Sequence, residues 1–204
     1  MRARRATPDD FDALVGFPDG PGVVGLPREE VLRDFEARRM RPEWSWVLEV
    51  DGRLMGRALW WGRGESVPSA LDALDVLPEI DDPRAAAVEM LRGGHADFAV
   101  SSERLLLPYT LRLPGGWRDD AQASSAVTWR CGAMSDVGLT RSLERRQYAW
   151  TPEMGIPERS HRVVFRQGSD AEFVELFRDA ARGSLASIRG SAGGSGVGCR
   201  RVWT

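Results

Sequence analysis

Three carboxylates stand where the chain could use them as bases: Asp72 and Asp75 inside the run ALDALDVL, and Glu43 just ahead of a tryptophan-rich segment. A carboxylate carried on a sheet can take a proton from an amine, directly or through one water, which is general-base chemistry. The competing reading of each is a solvated or capping acid. Tyr109 and Tyr148, the two phenols of the chain, fall in predicted strands and read as packing residues. His95 and His161 stand apart from any Cys or His at ligand spacing, and Cys131 and Cys199 fit no CxxC pattern. The sequence therefore predicts no metal site and reduced, structural thiols, as in a cytoplasmic protein. Arg2, Arg4 and Arg5 could touch an anion but read better as a solvated strand end.

Composition narrows the classes. A chain of 204 residues, 42% hydrophobic, can bury a sizeable core, and its net charge of -2 does not advertise nucleic acid. All 28 basic residues are Arg, which enriches the surface in planar, bidentate donors. No run of about 18 apolar residues marks a membrane span, and the start of the chain lacks an apolar signal core.

The elements that must position these residues are organised around WSWVLEVDGRLMGRALWWGR, residues 44–63. Trp44, Trp46, Leu48 and Val50 alternate with Ser45, Val47 and Glu49, which predicts a half-buried strand. Asp51-Gly52 supplies a two-residue hairpin turn, and a second strand runs from Arg53 to about Trp61. Gly56 inside it marks a bulge or a close approach to the backbone. Upstream, residues 2–6 form a short strand. Thr7-Pro8-Asp9-Asp10 opens a helix bearing Phe11, Leu14 and Val15, and a Gly/Pro-rich loop from Pro18 to Gly25 leads to a helix predicted over 27–40. Downstream, a strand over 70–77 is followed by a helix from Asp82-Pro83 toward Ser101, weakened in its middle by Gly93-Gly94. A strand over 104–113, a helix from Asp119-Asp120 to about Val137 stopped by Gly138, and a strand over 145–150 complete the region.

This order resembles the GCN5-related N-acetyltransferase (GNAT) superfamily. RRATPDDFDAL, LEVDGRLMGRA and LDVLPEI look like its first strand and helix, its central hairpin and its fourth strand. The resemblance implies an α/β (α+β) fold with a mixed, mostly antiparallel central sheet flanked by helices and splayed where acetyl-CoA enters. It also implies N-acetyltransferase activity, with acetyl-CoA as cofactor and a small-molecule or peptide amine as acceptor. Asp72, Asp75 and Glu43 become the candidate bases. Backbone near Leu74 and Val76 would position the pantetheine arm, and Arg84 would face the pyrophosphate. After Val76-Leu77-Pro78 the family carries a glycine loop whose backbone N–H groups and helix N-terminus hold that pyrophosphate. Here Glu79 to Ala86 reads EIDDPRAA: the glycines are missing, Pro83 removes a donor, and Asp81 and Asp82 place negative charge there. Charge repulsion at about 4 Å costs ~1 kcal/mol in water and ~4 at an effective dielectric near 20. Met134, in MSDVGL, stands where many members carry a tyrosine that reprotonates the thiolate.

Residues 152–160 read as a linker, after which HRVVFRQ (161–167) and a helix capped by Ser169-Asp170, with Phe173, Leu176, Phe177 and Ala180 on one stripe, look like the opening of a second lobe at 161–188. The Gly/Ser-rich stretch 189–204 predicts disorder. The chain thus resembles the degenerate N-terminal lobe, 1–151, of a tandem GNAT protein with a truncated or frame-shifted second lobe. Its alternatives are a non-catalytic lobe acting as a structural or partner-binding module, alone or in a homo- or hetero-oligomer with Trp60-Trp61 and Trp117 as anchors, and a sensor using the hollow between splayed strands. Partners expected from the composition exclude nucleic acid and membrane.

Overall fold

The computed structural model describes residues 1–63, 67–99, 106–147, 151–155, 158, 162, 166–183 and 198–203. The chain divides into two compact units, one of residues 1–148 with 197–204, the other of residues 149–196. The first unit is a mixed α+β body built on a mostly antiparallel sheet flanked by helices.

Its centre is the predicted hairpin. Strands β1 (Arg2–Arg5), β2 (Met40–Val50) and β3 (Arg53–Trp61) pair antiparallel, with Val50 opposite Arg53. The turn between them has φ of 50° at Asp51 and 77° at Gly52, the left-handed pair a two-residue hairpin requires. Both readings of Gly56 hold. The β2–β3 register slips beside it, and a Cβ on Gly56 would stand 3.2 Å from the Met90 methyl.

Strand β4 (Ala70–Val76) pairs antiparallel with β3, and β5 (Tyr109–Pro114), β6 (Ser142–Gln147) and β7 (Gly198–Trp203) extend the sheet in the order β1-β2-β3-β4-β5-β7-β6. The β4–β5 contact is the sole parallel one among the described strands and registers at Leu71 and Tyr109. The sequence predicts disorder from residue 189, yet Gly198–Trp203 is a strand between β5 and β6. The reason is tertiary: Cys199 to Trp203 offers β-branched and aromatic residues at the end of a glycine-rich stretch, and two strands with unpaired edges accept it. Of the strand predicted over 104–113, residues 104 and 105 lie outside the described ones and the ladder begins at Tyr109. Of that over 145–150, residues 148–150 lie outside.

Alternation along the strands sorts the core into two layers. Leu48, Ala58, Trp60, Leu74 and Val76 pack with helices α3 (Pro83–Ala99) and α4 (Ala121–Asp136) on one face. Val47, Leu59 and Ala73 pack with α1 (Phe11–Val15) and α2 (Arg28–Glu36) on the other. Helix α3 runs unbroken through Gly93-Gly94, contrary to the expected weakness. A Cβ on Gly93 would fall 2.2 Å from the Trp46 ring, and one on Gly94 would fall 2.5 Å from the Trp60 ring. The absent side chains let two indoles pack on the helix backbone, and that burial offsets the ~1 kcal/mol propensity cost of each glycine. Helix α2 is shorter than predicted. Arg38, with φ of 54°, closes it: its N–H donates to Phe35 and that of Arg39 to Asp34, so Met40 already belongs to β2.

The second unit contains α5 (Asp170–Gly183), whose first turn is held by Glu172 accepting from the Ser169 N–H at 2.9 Å. Phe173, Leu176 and Phe177 of α5 are largely exposed. Pro152–Met154 of the predicted linker is a single 3-10 turn. Most of HRVVFRQ lies outside the described residues.

Candidate functional site

The opening between β4 and β5 gathers three buried charged side chains, Arg57, Asp75 and Arg130. Arg57 and Asp75 stand directly opposite on β3 and β4. Both are buried, and Arg57 Nε donates to Asp75 Oδ2 at 2.9 Å. A second donor of Arg57 bonds the Leu14 carbonyl, and its guanidinium lies 5.3 Å over the Phe17 ring. From α4, on the other face of the sheet, Arg130 enters the opening. Its Nε donates to the Leu74 carbonyl at 3.1 Å and its Nη1 to the Ala126 carbonyl at 3.2 Å. Its Nη2 sits 3.6 Å from Asp75 Oδ1 and, though buried, makes no hydrogen bond. Two guanidinium groups thus share one carboxylate, the arrangement that makes removal of the shared partner costly.

Local sequence explains why the opening exists. The β3–β4 register shifts between Leu59 and Trp60, where Trp60 pairs with Leu71 and Leu59 with Ala73. Asp72 is the extra residue of this bulge, and the shift lets Leu71 join Leu74 and Val76 in the α3–α4 layer. Asp72 is tied to Arg112 of β5 at 2.8 Å. The loop before α2 roofs the gap: the Val24 N–H donates to the Arg112 carbonyl at 3.0 Å, and Gly20 approaches Arg130 so closely that a Cβ would fall 2.8 Å from Nη2. What space is left measures about 20 Å3 and is lined by Asp72, Leu74, Asp75, Tyr109, Arg112 and Arg130 among others. It admits roughly one water molecule. Burial pushes the Tyr109 hydroxyl well above the usual phenol range, with the Arg130 charge opposing. Burial, and then the Asp75 charge, push the Asp19 carboxyl up.

The predicted site residues divide. Asp72, Leu74 and Asp75 come together on this small cavity, but each is already engaged: Asp72 by Arg112, Asp75 by Arg57, the Leu74 carbonyl by Arg130. The side chains of Leu74 and Val76 are core. Arg84 lies elsewhere, in a two-pronged pair with Asp136 at 2.7 Å that joins α3 to α4 across Gly132. The N-terminus of α3 is closed by the chain itself, since Asp82 Oδ1 accepts from the Ala85 N–H at 2.9 Å. Glu43 is exposed, 3.6 Å from Arg38, on a different cavity. Met134 is fully buried core. The sequence reading missed Arg57, Arg130, Arg112 and Asp19. The available signal was an arginine inside each of two apolar runs, LMGRALWW and AVTWRCGAM, where burial requires a partner.

Outside this cluster, His95 is buried in α3 with its ring edge-on to Trp60 at 6.1 Å, and neither His95 Nε2 nor Trp60 Nε1 has a hydrogen-bond partner. Burial pushes the His95 imidazole down to about 4. Near the first strand, Arg4 bonds Asp10 and Glu49, and Arg5 pairs with Asp97, so these two arginines serve the fold. No group of three or more His, Cys, Asp and Glu among the described residues could hold a metal ion, and no described helix is long and apolar enough to cross a membrane. No protein-family model, curated protein or solved structure matches the chain.

Proposed function

We propose that this chain is a cytoplasmic GNAT-like lobe that does not bind acetyl-CoA and acts as a structural or partner-binding module. The observation that carries the reading is the Arg130 guanidinium in the opening between β4 and β5, where the proposed ancestry would put the pantetheine arm. The family's cofactor needs an open cleft and free backbone groups on the fourth strand. Here the Leu74 carbonyl is taken, and the remaining space fits about one water. The second support is at α3. The Asp82 carboxylate caps its first turn by accepting from the Ala85 N–H, and Arg84 is held by Asp136, so a pyrophosphate would meet a carboxylate where it needs positive charge.

One observation favours the runner-up, an N-acetyltransferase acting on an amine. The sheet does part at β4–β5, with registered pairing at Leu71 and Tyr109. For catalysis Arg130 would have to leave, exposing Asp75 as a base, and a buried charge would lose its partner in the same step. Thiol release from acetyl-CoA against a panel of primary amines separates the two. The expected result is release at the rate of the protein-free control. Release that depends on both protein and amine, and that Asp75→Asn abolishes while the fold persists, would establish the enzyme reading instead.

A further inference from the structure

On the other layer of the molecule, at the junction of α2 and β2, lies an open cavity of about 230 Å3 that the β4–β5 cluster does not touch. Its floor is apolar. Phe11 and Phe35 meet edge to face with ring centroids 5.4 Å apart, and the buried Met40 lies beside them. Its rim carries charge of both signs, most of it engaged. Arg38 lies 3.6 Å from Glu43, and the Arg41 guanidinium stacks 4.0 Å over the Trp44 ring while its Nε donates to the Arg38 carbonyl. Glu36 differs: its carboxylate is exposed, lines the cavity, and has no ion-pair or hydrogen-bond partner among the described residues.

Glu36 is also the last residue of α2, where the helix presents its negative dipole end. Arg33 offsets part of that field from the last turn but does not line the cavity. The two arginines and two glutamates of the rim balance in formal charge, but Arg38 and Glu43 face each other and Arg41 stacks on Trp44, which leaves Glu36 as the acid of the rim without a partner among the described residues, beside an aromatic floor. An aromatic-floored cavity with a partnerless carboxylate on its rim points to a ligand that supplies both an apolar body and a positive charge.

We propose that this cavity binds a small hydrophobic cation, a primary ammonium on an aryl or short alkyl body, with the apolar part against Phe11, Phe35 and Met40 and the ammonium at Glu36. The size fits one ring and a short chain, and the site stands independently of whether the lobe binds CoA.

The test uses the full-length protein with 13C-methyl Met and ring-labelled Phe, titrated with 2-phenylethylammonium and with neutral 2-phenylethanol. A nine-heavy-atom ligand in such a recess should bind the protein in the millimolar range. Glu36→Gln should weaken the amine about 3- to 10-fold and leave the alcohol unchanged, as expected for a half-exposed charge pair. Glu89→Gln, on the solvent side of α3, should change neither. Equal affinity for amine and alcohol, insensitive to Glu36→Gln, would overturn the cation assignment. No shift at Phe11, Phe35 or Met40 by about 20 mM ligand would overturn the site itself, since that bounds the affinity above the expected range.

Discussion

Asp75→Ala should cost the fold about 3–5 kcal/mol, the range measured when one partner of a buried ion pair is removed. Asp75 is the acceptor opposite Arg57 and the carboxylate facing Arg130, and all three side chains are buried. Without it, Arg57 keeps its bond to the Leu14 carbonyl and Arg130 keeps those to Leu74 and Ala126, but two guanidinium charges lose their counter-ion in a medium that solvates charge poorly. Asp75→Asn keeps the shape and one acceptor oxygen and should cost less, though still more than about 1 kcal/mol. Arg130→Met should be mild by comparison, because it also removes a buried Nη2 that has no hydrogen bond. Urea unfolding, with the slope checked for constancy, reads all three. A ranking in which Arg130→Met costs more than Asp75→Ala would contradict the assignment of Asp75 as the shared centre.

The second large effect is a loss of stability on mild acidification. Burial holds the folded-state His95 near 4, whereas an unfolded histidine titrates near 6.5. Between those values the unfolded chain binds more protons than the folded one, so stability is fully present above pH 6.5 and falls as pH drops toward 4. Each pH unit across that window costs up to about 1.4 kcal/mol, roughly 2–3 kcal/mol in all. Asp10 acts in a lower window: Arg4 holds its carboxyl down to about 2, so its contribution is present above about 3.8 and is lost below it. His95→Phe, which keeps an aromatic edge against Trp60, should flatten the profile between pH 4 and 6.5 and leave the lower limb in place. An unchanged slope in that variant would remove His95 as the cause.

Much of this architecture was legible in the residues. The alternation of Trp44, Trp46, Leu48 and Val50, the Asp51-Gly52 turn and the Asp120 cap of α4 are local signals, and the structure follows them. The misses share a cause in tertiary context. Strand propensity in Cys199 to Trp203 had no meaning without the open edges of β5 and β6. The expected weakness of the helix at Gly93-Gly94 is absent because the indoles that pack on them come from strands more than thirty residues away. The site was the least legible part. Asp72 and Asp75 drew notice as free carboxylates, but their chemistry is set by Arg112, Arg57 and Arg130, which lie far along the chain. An acid in a strand reads as a base until its arginine is located. Only the long-range pairing shows that the oxygens are engaged.

The proposal that this lobe does not take acetyl-CoA rests on two blocked places, the β4–β5 opening filled by Arg130 and the α3 N-terminus capped by Asp82. Calorimetric titration of the folded protein with CoA and with acetyl-CoA tests both at once. The account predicts no saturable heat up to about millimolar ligand, a free energy weaker than about -4 kcal/mol. Micromolar binding, with a chemical-shift change at Leu74 or Ala85, would mean that Arg130 or Asp82 yields its place to the cofactor, and the proposed module would have to be read as an enzyme.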